Sequence, residues 1–184
     1  MRRSIALIGA LVVLVISGCG SSSSSSTSTS SVTAGAYVKG ICNAVRGWAQ
    51  DIQTRSGALN VANIKNTKQG KTAIEGFFNA AVSDTTAVVT KLKDAGTPNV
   101  TNGKQISTAL VSSFSQIETA LAKGKTAAGA LPTGSPTAFK SGGQALANNV
   151  RQSLSGIGAG LSGLKSPELE KAAKSEPACK PLTG

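Results

Sequence analysis

Histidine is missing from all 184 residues of this chain, and its one methionine is the first residue. Without imidazole there is no zinc-protease motif and no Ser-His-Asp triad, and the commonest metal ligand and neutral-pH proton carrier are both lost. Aromatic side chains are scarce, with one Trp, one Tyr and four Phe, too few to form a stacking track for nucleic-acid bases. Acids are few as well: 8 Asp and Glu stand against 19 Lys and Arg, for a net charge of +11. Those carboxylates are scattered from Asp51 to Glu176 without the spacing of a calcium loop. Gly70-Lys71-Thr72 and Gly124-Lys125-Thr126 have the ending of a phosphate-binding loop, but Lys65 and Thr119 stand where its first glycine belongs. Both triplets read as solvated helix-end residues. A Ser-Lys dyad is compatible with the composition, yet serine and lysine are so plentiful that no pair stands out. The sequence implies no cofactor, no metal and no catalysis.

What is present begins at the N-terminus. Met1-Arg2-Arg3 precedes an apolar run from Ile5 to Ile16, which ends in Ile16-Ser17-Gly18-Cys19. The run is short of the roughly 20 residues that span a bilayer as a helix, but it suits a secretory signal core. The quartet resembles the bacterial lipobox: an aliphatic residue, two small ones, then cysteine. That resemblance implies a signal peptide over residues 1–18, cleavage before Cys19 and a diacylglyceryl group on its thiol. An uncleaved N-terminal anchor is the alternative. One acyl chain binds membranes marginally, whereas two or more hold stably. The lipobox reading therefore places the domain on the extracytoplasmic face of a bacterial cell membrane, anchored by lipid.

Residues 19–35 follow as a tether. From Gly20 the chain is almost wholly Ser, Thr, Gly and Ala, without charge or aromatic residue. Such a stretch buries too little to offset its ordering entropy and predicts a flexible coil with a reach of about 20–24 Å.

From Ala36 to the end, residues 36–184, the apolar period is helical. Tyr37, Ile41, Val45, Trp48 and Ile52 form one stripe; Ile74, Phe78, Ala81, Thr85, Val88 and Leu92 a second. Ile106, Leu110, Phe114, Ile117 and Leu121 form a third, and Phe139, Leu146, Val150, Leu154, Ile157, Leu161 and Leu164 a fourth. Ala95-Gly96-Thr97-Pro98 and the segment Leu131–Pro136 break the pattern. Ser135-Pro136 and Ser166-Pro167 have the grammar of an N-cap followed by proline at the first helical position, and Glu168 and Glu170 suit the first turn of a short fifth helix over 167–175. The expected fold is an all-α, up-down four-helix bundle with that fifth helix at its C-terminus. Residues 56–70 are only weakly periodic. Tyr37 and Trp48 fit core packing, with a binding platform as the alternative; Phe77 belongs at the edge of its seam or in a cleft. Gly156, Gly158, Gly160 and Gly163 fall inside the fourth pattern. Close helix approach is the first reading of them, a hinge or ligand groove the second, and a frayed helix end the third.

With Cys19 carrying lipid, Cys42 and Cys179 remain as an even pair in an oxidising compartment. They predict a structural disulfide that clips the Pro-rich tail to the first helix; chain-entropy arithmetic allows about 4–5 kcal/mol for so long a loop. A redox pair would want Cys-x-x-Cys spacing, which is absent. The lipobox, the Ser/Thr tether, the aromatic-x4-Cys opening from Tyr37 to Cys42 and the Ala178-Cys179-Lys180 tail together resemble small secreted helical lipoproteins of Gram-positive-type bacteria. The resemblance implies the bundle and the disulfide, and it carries over no functional residue except Cys19.

Removing Arg2 and Arg3 with the signal leaves 17 basic residues against 8 acids, a net +9. Lys65, Lys68 and Lys71 step by threes and share a face if helical. Export removes nucleic acid as a partner, so anionic lipid or cell-wall polymer is the expected contact, with plain solubility as the alternative. Two functional expectations follow: a non-catalytic interaction module with a basic surface, or a carrier of a small apolar ligand between its helices.

Overall fold

The computed structural model describes residues 31–59, 66–161 and 163–182. The signal segment, Cys19, the tether as far as Ser30, and Lys65 lie outside the described residues. The fold is all-α. A two-residue strand β1 (Ser31–Val32) leads into α1 (Ala34–Ala58), α2 (Thr67–Asp94), a second short strand β2 (Thr97–Pro98), α3 (Gly103–Gly129), α4 (Pro136–Leu154) and α5 (Pro167–Ser175). Single 3₁₀ segments occupy Ala159–Leu161 and Pro177–Leu182.

Local chemistry accounts for the helix ends. Thr33, Asn66, Ser135 and Ser166 each accept, on a side-chain oxygen, the amide three residues on, at 3.3, 2.9, 3.4 and 3.4 Å. The two Ser-Pro caps stand where the sequence puts them. Asp94 ends α2 because Gly96 turns left-handed, at φ 74°. The fourth helix is shorter than its apolar pattern: it stops at Leu154, and Gly158 and Gly163 adopt φ 95° in the turns beyond.

The start of the domain also differs from the composition reading. Ser31 and Val32 pair in parallel with Thr97 and Pro98, and the Val32 carbonyl accepts the Asn99 amide at 2.8 Å. Residues 31–35, assigned by composition to the tether, belong to the ordered domain. Pro98 is fully buried there, and its carbonyl lies so close to Gly103 that no side chain fits at that position.

Successive long helices run antiparallel. Trp48 of α1 meets Thr85 of α2, while Arg55 meets Asp84. Lys71 near the start of α2 reaches Gly129 at the end of α3, and Thr86 reaches Glu118. The predicted seam of α2 is the spine of the core: Phe78, Ala81, Thr85, Val88 and Leu92 are all buried. It serves two clusters. Phe78 and Ala81 pack with Leu121, Ala128, Leu131 and Leu146 of α3, the following turn and α4; Val88, Val89 and Leu92 pack with Phe114 of α3 and Ile41, Val45 and Trp48 of α1. The last elements lie on α1, where Cys42 is bonded to Cys179 with an S–S distance of 2.04 Å.

One glycine does bring two helices close, but it is Gly124. It is buried in α3, and a Cβ there would overlap the Phe78 ring. Gly156, Gly158, Gly160 and Gly163 have nothing within 4 Å of such a Cβ. The close-packing reading of those four is therefore wrong, as is the solvated helix-end reading of Gly124.

Candidate functional site

Where the two core clusters meet, the bundle is not filled. A cleft of about 380 Å³ opens among all four long helices. Trp48 and Ile52 enter it from α1, Phe77 and Phe78 from α2, Ile117 and Leu121 from α3, and Val150 and Leu154 from α4, with Ile157 just beyond. Phe78 and Leu121 are buried; the other seven are half-buried, so large apolar side chains border open space. All but Phe77 belong to the stripes that periodicity predicts. Periodicity states which face of each helix turns inward, and it is silent on whether four inward faces meet.

The one polar side-chain atom among these nine residues is already engaged. The Trp48 indole N–H donates to Thr85 Oγ1 at 2.9 Å, and that hydroxyl donates onward to the Ala81 carbonyl at 2.7 Å. Thr85 is completely buried, so it holds the indole against α2, while Phe114 meets the ring edge to face at 5.3 Å between centroids. The cleft therefore presents mostly carbon to an occupant, and its lining side chains have no hydrogen-bonding group to spare. Its volume is more than twice the ~150 Å³ that holds one benzene, and it lies within the usual ~300–1,000 Å³ of ligand sites.

No family profile, curated protein or solved structure matches this chain.

The remaining predicted residues are placed as follows. Lys68 is exposed in the first turn of α2. Lys71 is occupied: its ammonium donates to the Gly129 carbonyl at 2.6 Å and lies 3.9 Å from Glu75, so it caps the end of α3. Lys65 lies outside the described residues, so of the expected three-lysine face the structure describes Lys68 and Lys71 alone. Tyr37 is a core residue at 3% exposure, and burial pushes its phenol above the ordinary 10.0 although a hydrogen bond with Ser107 pulls the other way. Glu168 is held below the usual carboxylate range by its own backbone amide and by the Ser166 hydroxyl, as a first-turn acid should be. Among the described residues no His, Cys, Asp or Glu cluster is suited to a metal ion, and no helix is long and apolar enough to cross a membrane.

Proposed function

We propose that this chain is a lipid-anchored, extracytoplasmic binding protein whose helical domain takes a small apolar ligand into the cleft between its four long helices. The observation that carries the reading is the cleft itself, about 380 Å³ bordered by half-buried Trp48, Phe77, Ile117 and Val150 with no polar side-chain group left free. Leaving such side chains partly in water forgoes about 25 cal/mol for every Å² of apolar surface, which an apolar ligand would recover. The same chemistry fixes what the site would refuse. A charged or strongly hydrogen-bonding group would enter without a partner. Catalysis has no support in such a lining, which offers neither nucleophile nor proton carrier.

The anchor rests on Cys19 and the lipobox resemblance. Acylation there would keep the domain at a membrane surface, where apolar molecules are concentrated.

The only tryptophan lines the cleft, so ligand entry has a built-in reporter. Titrating the full chain with an apolar fluorescent probe should shift Trp48 emission saturably. Ile52→Glu, which sets a carboxylate on the lining, should abolish the shift while the helical circular-dichroism signal persists. An unchanged Trp48 spectrum, with no apolar compound in an organic extract of the purified protein, would defeat the proposal. For the anchor, Cys19→Ser should move the protein from the detergent-extracted membrane fraction into the soluble one; equal retention would refute acylation.

A further inference from the structure

A second hollow, separate from the apolar cleft, lies at the end of the bundle where the chain enters. It measures about 480 Å³ and is bordered by Ser31, Lys93, Thr97, Lys104 and Thr108, among others. The β1–β2 pair and two helices build it: β1 brings Ser31 alongside Thr97 of β2, the last turn of α2 brings Lys93, and the first turn of α3 brings Lys104. No carboxylate lines it. Neither lysine ammonium has a hydrogen bond or ion pair among the described residues, unlike Lys71 with its Gly129 carbonyl.

The hydroxyls are an independent observation. A threonine inside a helix normally returns its hydroxyl hydrogen to a carbonyl one turn back. In α2 and α3, Thr72, Thr85, Thr86, Thr90, Thr119 and Thr126 all do so, at 2.7 to 3.2 Å. Thr67 is spent on the Thr133 carbonyl. Thr108 alone in these two helices makes no such bond, and it borders the hollow. Ser31 and Thr97 beside it also have uncommitted hydroxyls.

We infer that this hollow is a binding site for a phosphate ester. Two unpaired ammonium groups and three free hydroxyl donors, with no competing carboxylate, match an anion that offers several oxygen acceptors. The site continues along α3: Lys104 and Thr108 also border an adjoining groove of about 610 Å³, which Gln105 and the turn around Gly158 line as well. That extension gives the uncharged remainder of the ester room beside α3, with the side-chain amides of Gln105 and Gln116 on its border. It is also a use for glycines 156, 158 and 160 that packing does not supply. This inference does not rest on the apolar cleft.

The test uses the full chain in a non-ionic detergent, titrated calorimetrically with glycerol phosphate and, separately, with micelles containing phosphatidylglycerol. Binding of both probes assigns a phosphate ester in general, and binding of the doped micelles alone assigns a lipid headgroup; either result supports the site. Lys93→Gln/Lys104→Gln should weaken binding at least tenfold. Thr108→Val, which leaves net charge unchanged, should weaken it severalfold. Lys123→Gln/Lys125→Gln, the same loss of charge toward the other end of α3, should change it less than twofold. All five positions are exposed, so circular dichroism should be the same for every variant. Failure of both probes, an equal loss in the Lys123/Lys125 pair, or unaltered binding by Thr108→Val would overturn the inference.

Discussion

Tyr37 is the only phenol in the chain, which makes its burial directly measurable. Desolvation disfavours the phenolate and outweighs the Ser107 hydrogen bond, so the folded pKa stands above 10.0. The folded state therefore holds this proton more tightly than the unfolded one. The corresponding stability is complete below pH 10 and is lost as pH rises through the raised folded value. Near-ultraviolet titration should show a single phenolate inflection above pH 10, falling to an ordinary value in denaturant, and Tyr37→Phe should lessen the alkaline loss of stability. Glycine offers a paired experiment of opposite sign. Gly124→Ala forces a methyl into the Phe78 ring and should cost about 1–3 kcal/mol, less a helix-propensity gain of up to about 1 kcal/mol. Gly76→Ala, inside α2 with nothing within 4 Å, should instead stabilise by up to about 1 kcal/mol. Thermal unfolding of the two variants should move in opposite directions. The sequence distinguishes neither glycine, because the atom that decides the sign belongs to a ring some 46 residues distant in the chain.

At the scale of elements, the helical seams were legible because burial repeats every three or four residues along one chain segment. Phe78, Ala81, Thr85, Val88 and Leu92 all turn inward as their spacing requires. Ser135-Pro136 and Ser166-Pro167 were legible because capping is local chemistry. The fourth helix was overextended for an instructive reason: Ile157 and Leu164 keep the helical period after the helix has stopped. Ile157 still borders the apolar cleft, while Leu164, beyond the 3₁₀ turn, borders other hollows against α1 and α3. The bridge from Val32 to Pro98 left no trace in composition, since a serine-threonine stretch carries no sign of a partner so far along the chain. The apolar cleft was half legible. Its lining residues are the predicted stripes, but an unfilled volume depends on how four separate stripes interlock.

At the scale of the whole molecule, the Cys42–Cys179 bond spans 137 positions. It holds α5 and the final 3₁₀ segment on α1, elements whose own buried surface is small: none of the residues of α5 is buried. Reduction should therefore lower the unfolding temperature markedly, with up to about 5 kcal/mol at stake on chain entropy alone. Calorimetry with and without reductant measures the shift. Cys42→Ser/Cys179→Ser should reproduce the reduced protein and be insensitive to further reductant.

The same bond decides how the molecule answers a mechanical load. Tension applied between its two ends would travel through the sulfur atoms and bypass everything between them, so that roughly 450–490 Å of contour length stays out of reach of a pulling force. Stretched in an optical trap, the oxidised protein should pay out only its short terminal arms, and the long extension should appear after the thiols are set free.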